Sequence, residues 1–341
     1  MEWLDNFPLS KTKTLQIQDC HGDAKLKRER NSSGRAKIPN TSGTDQVCRG
    51  LITAHHGVEV EVVFTAGKRR MVRVKRNSGH VVGDDVEVTG ELLQRLPRRT
   101  ELRRRDARGG IHLLAANLDV LGIVVALNSL AGFIDRAIVA ARVAKLQPFI
   151  VVNKCDLEDT TPLLTDLNRI YAKSVPIFAI SAKSLTGLAP LLAFLNEGHR
   201  GVFVGTSGVG KSSLLNAICP TIDLKVGDIN VHSGMGRHTT TVSTLHLLSE
   251  GGELVDTPGF RDFGLVDILA EELSSHFPGF EEHGGMSCRF RNCRHRSEPG
   301  CAVIKLVELG QISAERYATY LELLEEVEAN QSEARSKGWK N

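Results

Sequence analysis

At 341 residues and 37.3 kDa the chain has the size of two or three domains. A hydrophobic fraction of 41% and a charged fraction of 24% describe a soluble protein with material for a real core, and no apolar run approaches the roughly 18 residues of a membrane span. The start MEWLDNFPLS lacks the apolar region of a signal peptide, and seven cysteines are too few for a disulfide scaffold. Membrane and secreted classes are thereby excluded, and a cytoplasmic multidomain protein is expected.

The net charge of +3 conceals a local +7, because residues 67–110 hold 13 Lys+Arg against 6 Asp+Glu. Such a segment is a footprint for polyanions, with a solvated surface loop as the competing reading.

Residues 1–46 are polar, broken by NSSG and NTSGT, and short of apolar surface to offset ordering; a flexible polar arm is expected. Between residues 47 and 112, short alternating runs at 51–54, 58–64, 70–75 and 85–88 are separated by glycine-containing breaks. They predict a small all-β domain, an OB-like β-barrel suited to RNA binding. Between 113 and 264 the rhythm becomes strand–helix alternation, beginning with the apolar run Val120–Leu127. That pattern predicts a mostly parallel sheet covered by helices, an α/β domain. From 265 to 341 a cysteine-bearing segment leads into a helix whose stripe is Tyr317, Tyr320, Leu321, Leu324 and Val327, read as domain core.

Gly205-Thr206-Ser207-Gly208-Val209-Gly210-Lys211-Ser212 fits the phosphate-binding pattern between a predicted strand and a predicted helix, and Ser213 follows it. Its glycines let backbone N–H groups turn toward phosphate oxygens at a helix N-terminus. Lys211 would neutralise the outer phosphates, and the Ser212 hydroxyl would take one Mg²⁺ position.

Asn153-Lys154-Cys155-Asp156 ends another predicted strand. A carboxylate at Asp156 can accept from both N1–H and the exocyclic amine of guanine, donors that adenine does not offer. Asn153 would bridge loops, and the Lys154 stem would pack along the base. Ser181-Ala182-Lys183 lies one strand–helix unit later and would offer the Ala182 N–H to guanine O6. Asp256-Thr257-Pro258-Gly259 would hold Mg²⁺ through the Asp256 carboxylate and meet the γ-phosphate through the Gly259 N–H. Among the adjacent threonines 239–241, Thr240 is the chosen Mg²⁺ ligand. The ligand is therefore GTP or GDP.

Cys288, Cys293, His295 and Cys301 supply three thiolates and one imidazole within 14 residues, a closed tetrahedral set for a structural Zn²⁺. Disulfides are the alternative, disfavoured by the odd cysteine count. Arg289, Arg291, Arg294 and Arg296 are interleaved with the ligands, so the knuckle is itself a candidate RNA contact.

The base-reading motifs precede the phosphate loop, the reverse of Ras-like order, so the central domain is a circularly permuted P-loop GTPase. Over residues 47–330 the chain resembles the RsgA (YjeQ) family of small ribosomal subunit biogenesis GTPases. The resemblance implies a partner in the small ribosomal subunit and its rRNA, turnover stimulated by it, release after hydrolysis and a role in late maturation. It also implies a hydrolytic role for His238, where Phe260 stands at the position of the Ras glutamine. A monomer away from membranes is expected. Two rivals stand beside this reading: a nucleotide-gated RNA-binding module whose hydrolysis is irrelevant, and a small-molecule kinase. The permutation further predicts that the switch segments act first on the C-terminal domain while the β-barrel hangs from the base-recognition end.

Overall fold

The computed structural model describes residues 47–65, 67–105, 109–127, 131–157, 159–219, 243–257, 265–280 and 288–338. The expected arm 1–46, His238, Thr240, Gly259 and Phe260 lie outside the described residues.

Five strands, β1 (Cys48–His55), β2 (Glu59–Phe64), β3 (Arg69–Arg73), β4 (Asp85–Thr89) and β5 (Leu92–Arg95), pair antiparallel in the order β3-β2-β1-β4-β5. Their period-two alternation gathers Ile52, Val60, Val62, Val72, Val86 and Val88 into one small core. No pair joins β3 to β5 among the described residues, so these strands form an open antiparallel ladder there. A hairpin follows, β6 (Glu101–Arg105) with β7 (Ile111–Ala116). The run Arg103-Arg104-Arg105 hides its alternation from sequence reading, and only Leu102, Ala115 and Ala116 are fully buried in it.

The central domain is built from β8 (Val120–Val125), α1 (Ala131–Val143), β9 (Gln147–Val152), α2 (Thr161–Tyr171), β10 (Ile177–Ala179), α3 (Leu188–Asn196), β11 (Arg200–Val204), α4 (Lys211–Ile218), β12 (Thr244–Leu247) and β13 (Glu253–Asp256). The strands lie in the order β10-β9-β8-β11-β13-β12, parallel except for β12. All six residues of β8 are buried, as a strand covered on both faces requires. One face packs on α1 and α2 and the other on α3 and α4. Gly122 is needed at the centre, because a Cβ there would come within 2.5 Å of Phe203 and 2.6 Å of Phe149. Those rings meet edge to face at 5.9 Å.

The C-terminal part contains α5 (Leu273–His276), α6 (Ala302–Glu308) and the long α7 (Ala314–Gly338). Tyr320, Leu324 and Val327 of the expected stripe are buried with Leu265, Phe277 and Val139, Tyr317 and Leu321 are partly buried beside them, and Leu323, outside that stripe, joins the same core. Among the described residues no helix is long and apolar enough to cross a membrane.

The attachment of the N-terminal ladder corrects one expectation. A bulge between Ile52 and Ala54 divides β1: Cys48–Leu51 pair with β4, and Ala54 pairs with Thr244 of β12. The ladder thus continues the central sheet at β12, the strand that follows the threonine segment. A second tie lies where β8 and β11 begin. Arg200 donates to the Gly83 carbonyl (3.0 Å) and pairs with Glu253, while Asn117, buried, donates to the same carbonyl at 2.9 Å. The loops expected to read the base, at 153–156 and 181–183, follow the opposite, C-terminal ends of β9 and β10. Main-chain pairing along an edge strand, not chain order, decides where the ladder hangs.

The basic segment also resolves into two parts. Arg98 grips the buried Asp84 with two nitrogens (2.6 and 2.9 Å) and Glu101 with a third (3.0 Å). Arg99 pairs with Asp119, and Arg103 with Glu101 and Asp267. Lys68, Arg70, Lys75 and Arg76 are exposed and form no ion pair among the described residues. Arg69 and Arg73 of β3 pair with Glu61 and Glu59, so the exposed positive charge outside ion pairs is carried by Lys68, Arg70, Lys75 and Arg76, with Arg95 of β5 also exposed and in no ion pair among the described residues.

Candidate functional site: a nucleotide cradle and a metal knuckle

The phosphate loop leaves β11 and enters α4. A Cβ on Gly205 would come within 2.4 Å of the Val124 carbonyl, and Gly208 and Gly210 have φ of 83° and 92°, conformations open to glycine at little cost. Val209 is buried among α3 and α4 side chains and anchors the loop, while Thr206, Ser207 and Ser212 remain accessible. Lys211 Nζ donates to the carbonyls of Gly205 (2.6 Å) and Thr206 (3.0 Å), which holds its charge over the loop.

Asn153 ties three segments together. Its backbone N–H donates to Val125 O (2.9 Å), its Nδ2 donates to Val209 O in the phosphate loop (2.9 Å), and its Oδ1 accepts the Ala182 N–H (3.0 Å). Gly210 is again required, since a Cβ there would stand 2.4 Å from Asn153 Nδ2. The loop-bridging role read from the sequence is thus in place. The Ala182 N–H is already committed to Asn153 and would have to be shared with a guanine O6.

Asp156 and Ser181 meet at 2.6 Å, the hydroxyl donating, and this bond holds the Asp156 carboxyl below its ordinary range. Ser181 Oγ in turn accepts the Ser184 N–H (3.1 Å). Lys154 has a φ of 67°, which turns the chain so that its stem passes beside Gly210. Asp156 and Lys183 are exposed, open to a ligand.

Asp256 ends β13 half-buried, and burial pushes its carboxyl up. The adjacent Thr257 Oγ1 is buried without a hydrogen-bond partner among the described residues. A carboxylate and hydroxyls are the hard oxygen donors that Mg²⁺ takes, so the residue types fit that ion.

The second centre joins Cys288, Cys293, His295 and Cys301, whose ligand atoms all lie within 4.8 Å of one another. His295 Nδ1 is 3.5 Å from Cys288 Sγ and 3.3 Å from Cys301 Sγ, and those sulfurs are 4.0 Å apart. A tetrahedral ion with sulfur at about 2.3 Å sets ligand atoms about 3.5–3.8 Å apart, so the spacing fits. All described cysteines are free thiols, which removes the disulfide alternative for these three. Burial, reinforced by the neighbouring sulfurs, pushes the Cys293 thiol up to about 12. A bound cation is what would hold it as thiolate at neutral pH.

Groups outside the ligand set shape the knuckle. Glu298 accepts the N–H groups of Arg294 (2.8 Å), Arg296 (2.8 Å) and Ser297 (3.1 Å); burial opposes its ionisation, but these donors carry it down to about 2. Tyr317 donates to the His295 carbonyl (2.6 Å) and Tyr320 to that of Arg294 (3.1 Å). Sequence periodicity placed both tyrosines on the core stripe but could not assign their hydroxyls. Arg294 and Arg296 both pair with Glu328 of α7, so two of the four interleaved arginines serve the fold.

The parallel sheet, the phosphate loop at the start of α4 and the two base-reading segments define a P-loop GTPase. The strands β9 and β10, which lead into the segments expected to read the base, come before the phosphate-loop strand β11 in the chain, a circular permutation. The chain belongs to the RsgA GTPase family, whose model matches residues 95–266. It is 37% identical over 334 residues to the small ribosomal subunit biogenesis GTPase RsgA of Pseudomonas fluorescens, covering 93% of this chain and 96% of that one. It is 39% identical over 287 residues to the protein of the same name from Pseudomonas aeruginosa, covering 81% and 84%. Among solved structures it is similar to YjeQ from Thermotoga maritima, with a TM-score of 0.67 and 32% identity over 83% of this chain and 99% of that one. It is also similar to YloQ, described as a circularly permuted GTPase, at a TM-score of 0.64 and 28% identity over 85% and 98%.

Proposed function

We propose that this chain is a cytoplasmic, monomeric GTPase that binds the small ribosomal subunit, assists its late maturation, and leaves after hydrolysing GTP to GDP and phosphate. The observation that carries the nucleotide part is Asn153, one side chain joined to both the phosphate loop and the Ala182 segment, so base reading and phosphate binding share one frame. The ribosomal part rests on the names of the relatives.

In this reading Asp156 accepts the two guanine donors, the Lys154 stem covers the ring and Ala182 shares its N–H with O6. Ser181 orients Asp156, and Lys183 closes the rim. The backbone from Gly205 to Gly210 and the residues Lys211, Ser212 and Ser213 surround the phosphates, with the Gly259 N–H on the γ-phosphate. Mg²⁺, held by Ser212, Thr240 and Asp256, would supply charge neutralisation at the phosphates. His238 orients the attacking water in place of the glutamine that Phe260 replaces. Zn²⁺ at Cys288, Cys293, His295 and Cys301 would be structural, with no open position. The exposed cations Lys68, Arg70, Lys75 and Arg76 form the rRNA-facing part of the N-terminal ladder, read here as an OB-like barrel. The division into 1–46, 47–112, 113–264 and 265–341 belongs to the same reading, with the β6–β7 hairpin at its second boundary.

The test is steady-state GTP turnover with and without purified small subunits, for the wild type and His238→Ala. Stimulation lost in the variant supports the full reading, whereas stimulation that survives keeps the ribosome and removes His238 from the chemistry. No stimulation favours the nucleotide-gated binding module, to which Phe260 already points.

A further inference from the structure

The four arginines of the metal knuckle do not share one environment. Arg294 and Arg296, though exposed, are paired with Glu328 of α7. Arg289 and Arg291 are exposed and form no ion pair among the described residues, and between them Phe290 is 42% exposed. Single exposed apolar residues are ordinary. Three features set this one apart.

The first is the ring's neighbour: the Arg289 guanidinium stands 5.6 Å from the Phe290 centroid, within cation–π range. The second is how the turn is held. Arg289 N–H donates to Gly300 O (3.1 Å), Cys293 N–H donates to Phe290 O (3.3 Å), and ligands Cys288 and Cys293 flank the turn. Gly300, at φ 76°, allows the close approach, since a Cβ there would stand 3.1 Å from Arg289 Cβ. The third is contrast. Phe280 packs on Phe277 and Tyr320 with centroids at 4.7 Å, so this domain has an aromatic core that Phe290 does not join.

An exposed aromatic ring on a turn held by two main-chain hydrogen bonds, with Arg289 and Arg291 on either side of it in sequence and neither in an ion pair among the described residues, has the chemistry that recognises single-stranded RNA. A base stacks on the ring, and the cations meet adjacent phosphates. We propose that Phe290, with Arg289 and Arg291, is a stacking platform for one unpaired base of RNA. The proposal rests on the ribosomal reading above for the source of that RNA.

The experiment uses full-length, zinc-loaded protein and two probes: an unstructured, fluorescently labelled RNA dodecamer and purified small subunits. Phe290→Leu should weaken dodecamer binding about 5- to 150-fold, the worth of one stacked base. Phe290→Tyr should bind like the wild type, and metal content and intrinsic GTP turnover should be unchanged in both. Equal dodecamer affinity for wild type and Phe290→Leu overturns the platform. Weakened subunit binding without weakened dodecamer binding also overturns it, assigning the face to a protein contact. If the wild type ignores small subunits while Phe290→Leu still loses the dodecamer, the platform stands and the ribosomal reading falls.

Discussion

Asp135 of α1 and Arg316 of α7 form a two-pronged ion pair, with Nε 3.2 Å from Oδ2 and Nη2 3.0 Å from Oδ1, joining the central domain to the C-terminal one. Asp135 is 1% exposed and also accepts the Tyr171 hydroxyl at 2.8 Å. Burial and the facing carboxylate push the Tyr171 phenol up, so it stays a donor. Arg316 further donates to the Pro278 carbonyl and lies over the Tyr171 and Phe277 rings, at 5.2 and 5.5 Å. Both Asp135 oxygens accept, and Arg316 Nε and Nη2 donate, which is the kind of pairing under which burial of charge is tolerated.

Removing one member leaves the other uncompensated. Asp135→Asn is therefore expected to destabilise the fold by about 3 kcal/mol, read as a lowered midpoint in denaturant unfolding. The double variant Asp135→Asn/Arg316→Met should recover part of that loss, because the unpaired charge is gone. A single-variant effect below about 1 kcal/mol would show that the pair is dispensable.

The ladder pairing of Ala54 with Thr244 links the N-terminal strands to the end of the threonine segment. On the other side, the Leu265 N–H donates to Glu326 (3.4 Å), Arg136 pairs with the same carboxylate, and Arg103 pairs with Asp267 (2.8 Å). Both exits from the expected switches are thus held by neighbouring units. Hydrogen exchange compared between GTP-analogue and GDP states should differ in residues 48–55 and in 265–280. Identical exchange in both regions would rule out coupling of nucleotide state to either flank.

Asp156 accepts from Ser181 and is otherwise open to a base. Asp156→Asn replaces a two-site acceptor with one donor and one acceptor, which opposes guanine but complements the C2 carbonyl of xanthine. GTP affinity should fall about 100-fold or more while xanthosine triphosphate binding rises. Retained GTP preference in equilibrium binding would remove Asp156 from base reading.

Glu298 holds three backbone N–H groups of the metal knuckle. Its folded pKa of about 2 lies below the ordinary 4.5, so its contribution is complete above about pH 4.5 and is lost as pH falls through about 2. Burial pushes the Cys293 and Cys301 thiols up, so substitution at neutral pH is a cleaner measurement than acid titration. Glu298→Gln should cost about 1 kcal/mol and speed metal loss to a chelator, while full chelation should unfold residues 288–308. Chelator kinetics unchanged from the wild type would deny Glu298 this role.

What residues close in sequence do together was legible without coordinates. The phosphate-loop pattern carries its own glycines and its own lysine, and the four residues that could hold a metal ion fall within 14 positions, so local spacing already marked both candidate sites. The alternation of β2 and the unbroken apolar run of β8 likewise reported the burial of those strands. The β6–β7 hairpin was illegible because its strand state comes from ladder pairing, against an arginine run that gives no pattern.

Through-space partnership was decided by the tertiary structure alone. Composition counts thirteen basic residues between 67 and 110 but cannot tell Arg98, spent on Asp84, from Arg70, which faces solvent. Nor could it join Asp135 to Arg316 across 181 positions, or hang the N-terminal ladder on β12. An ion pair or a strand pairing depends on which surfaces meet when the chain closes, and a charged side chain looks the same in sequence whether it faces water, RNA or another residue of its own fold.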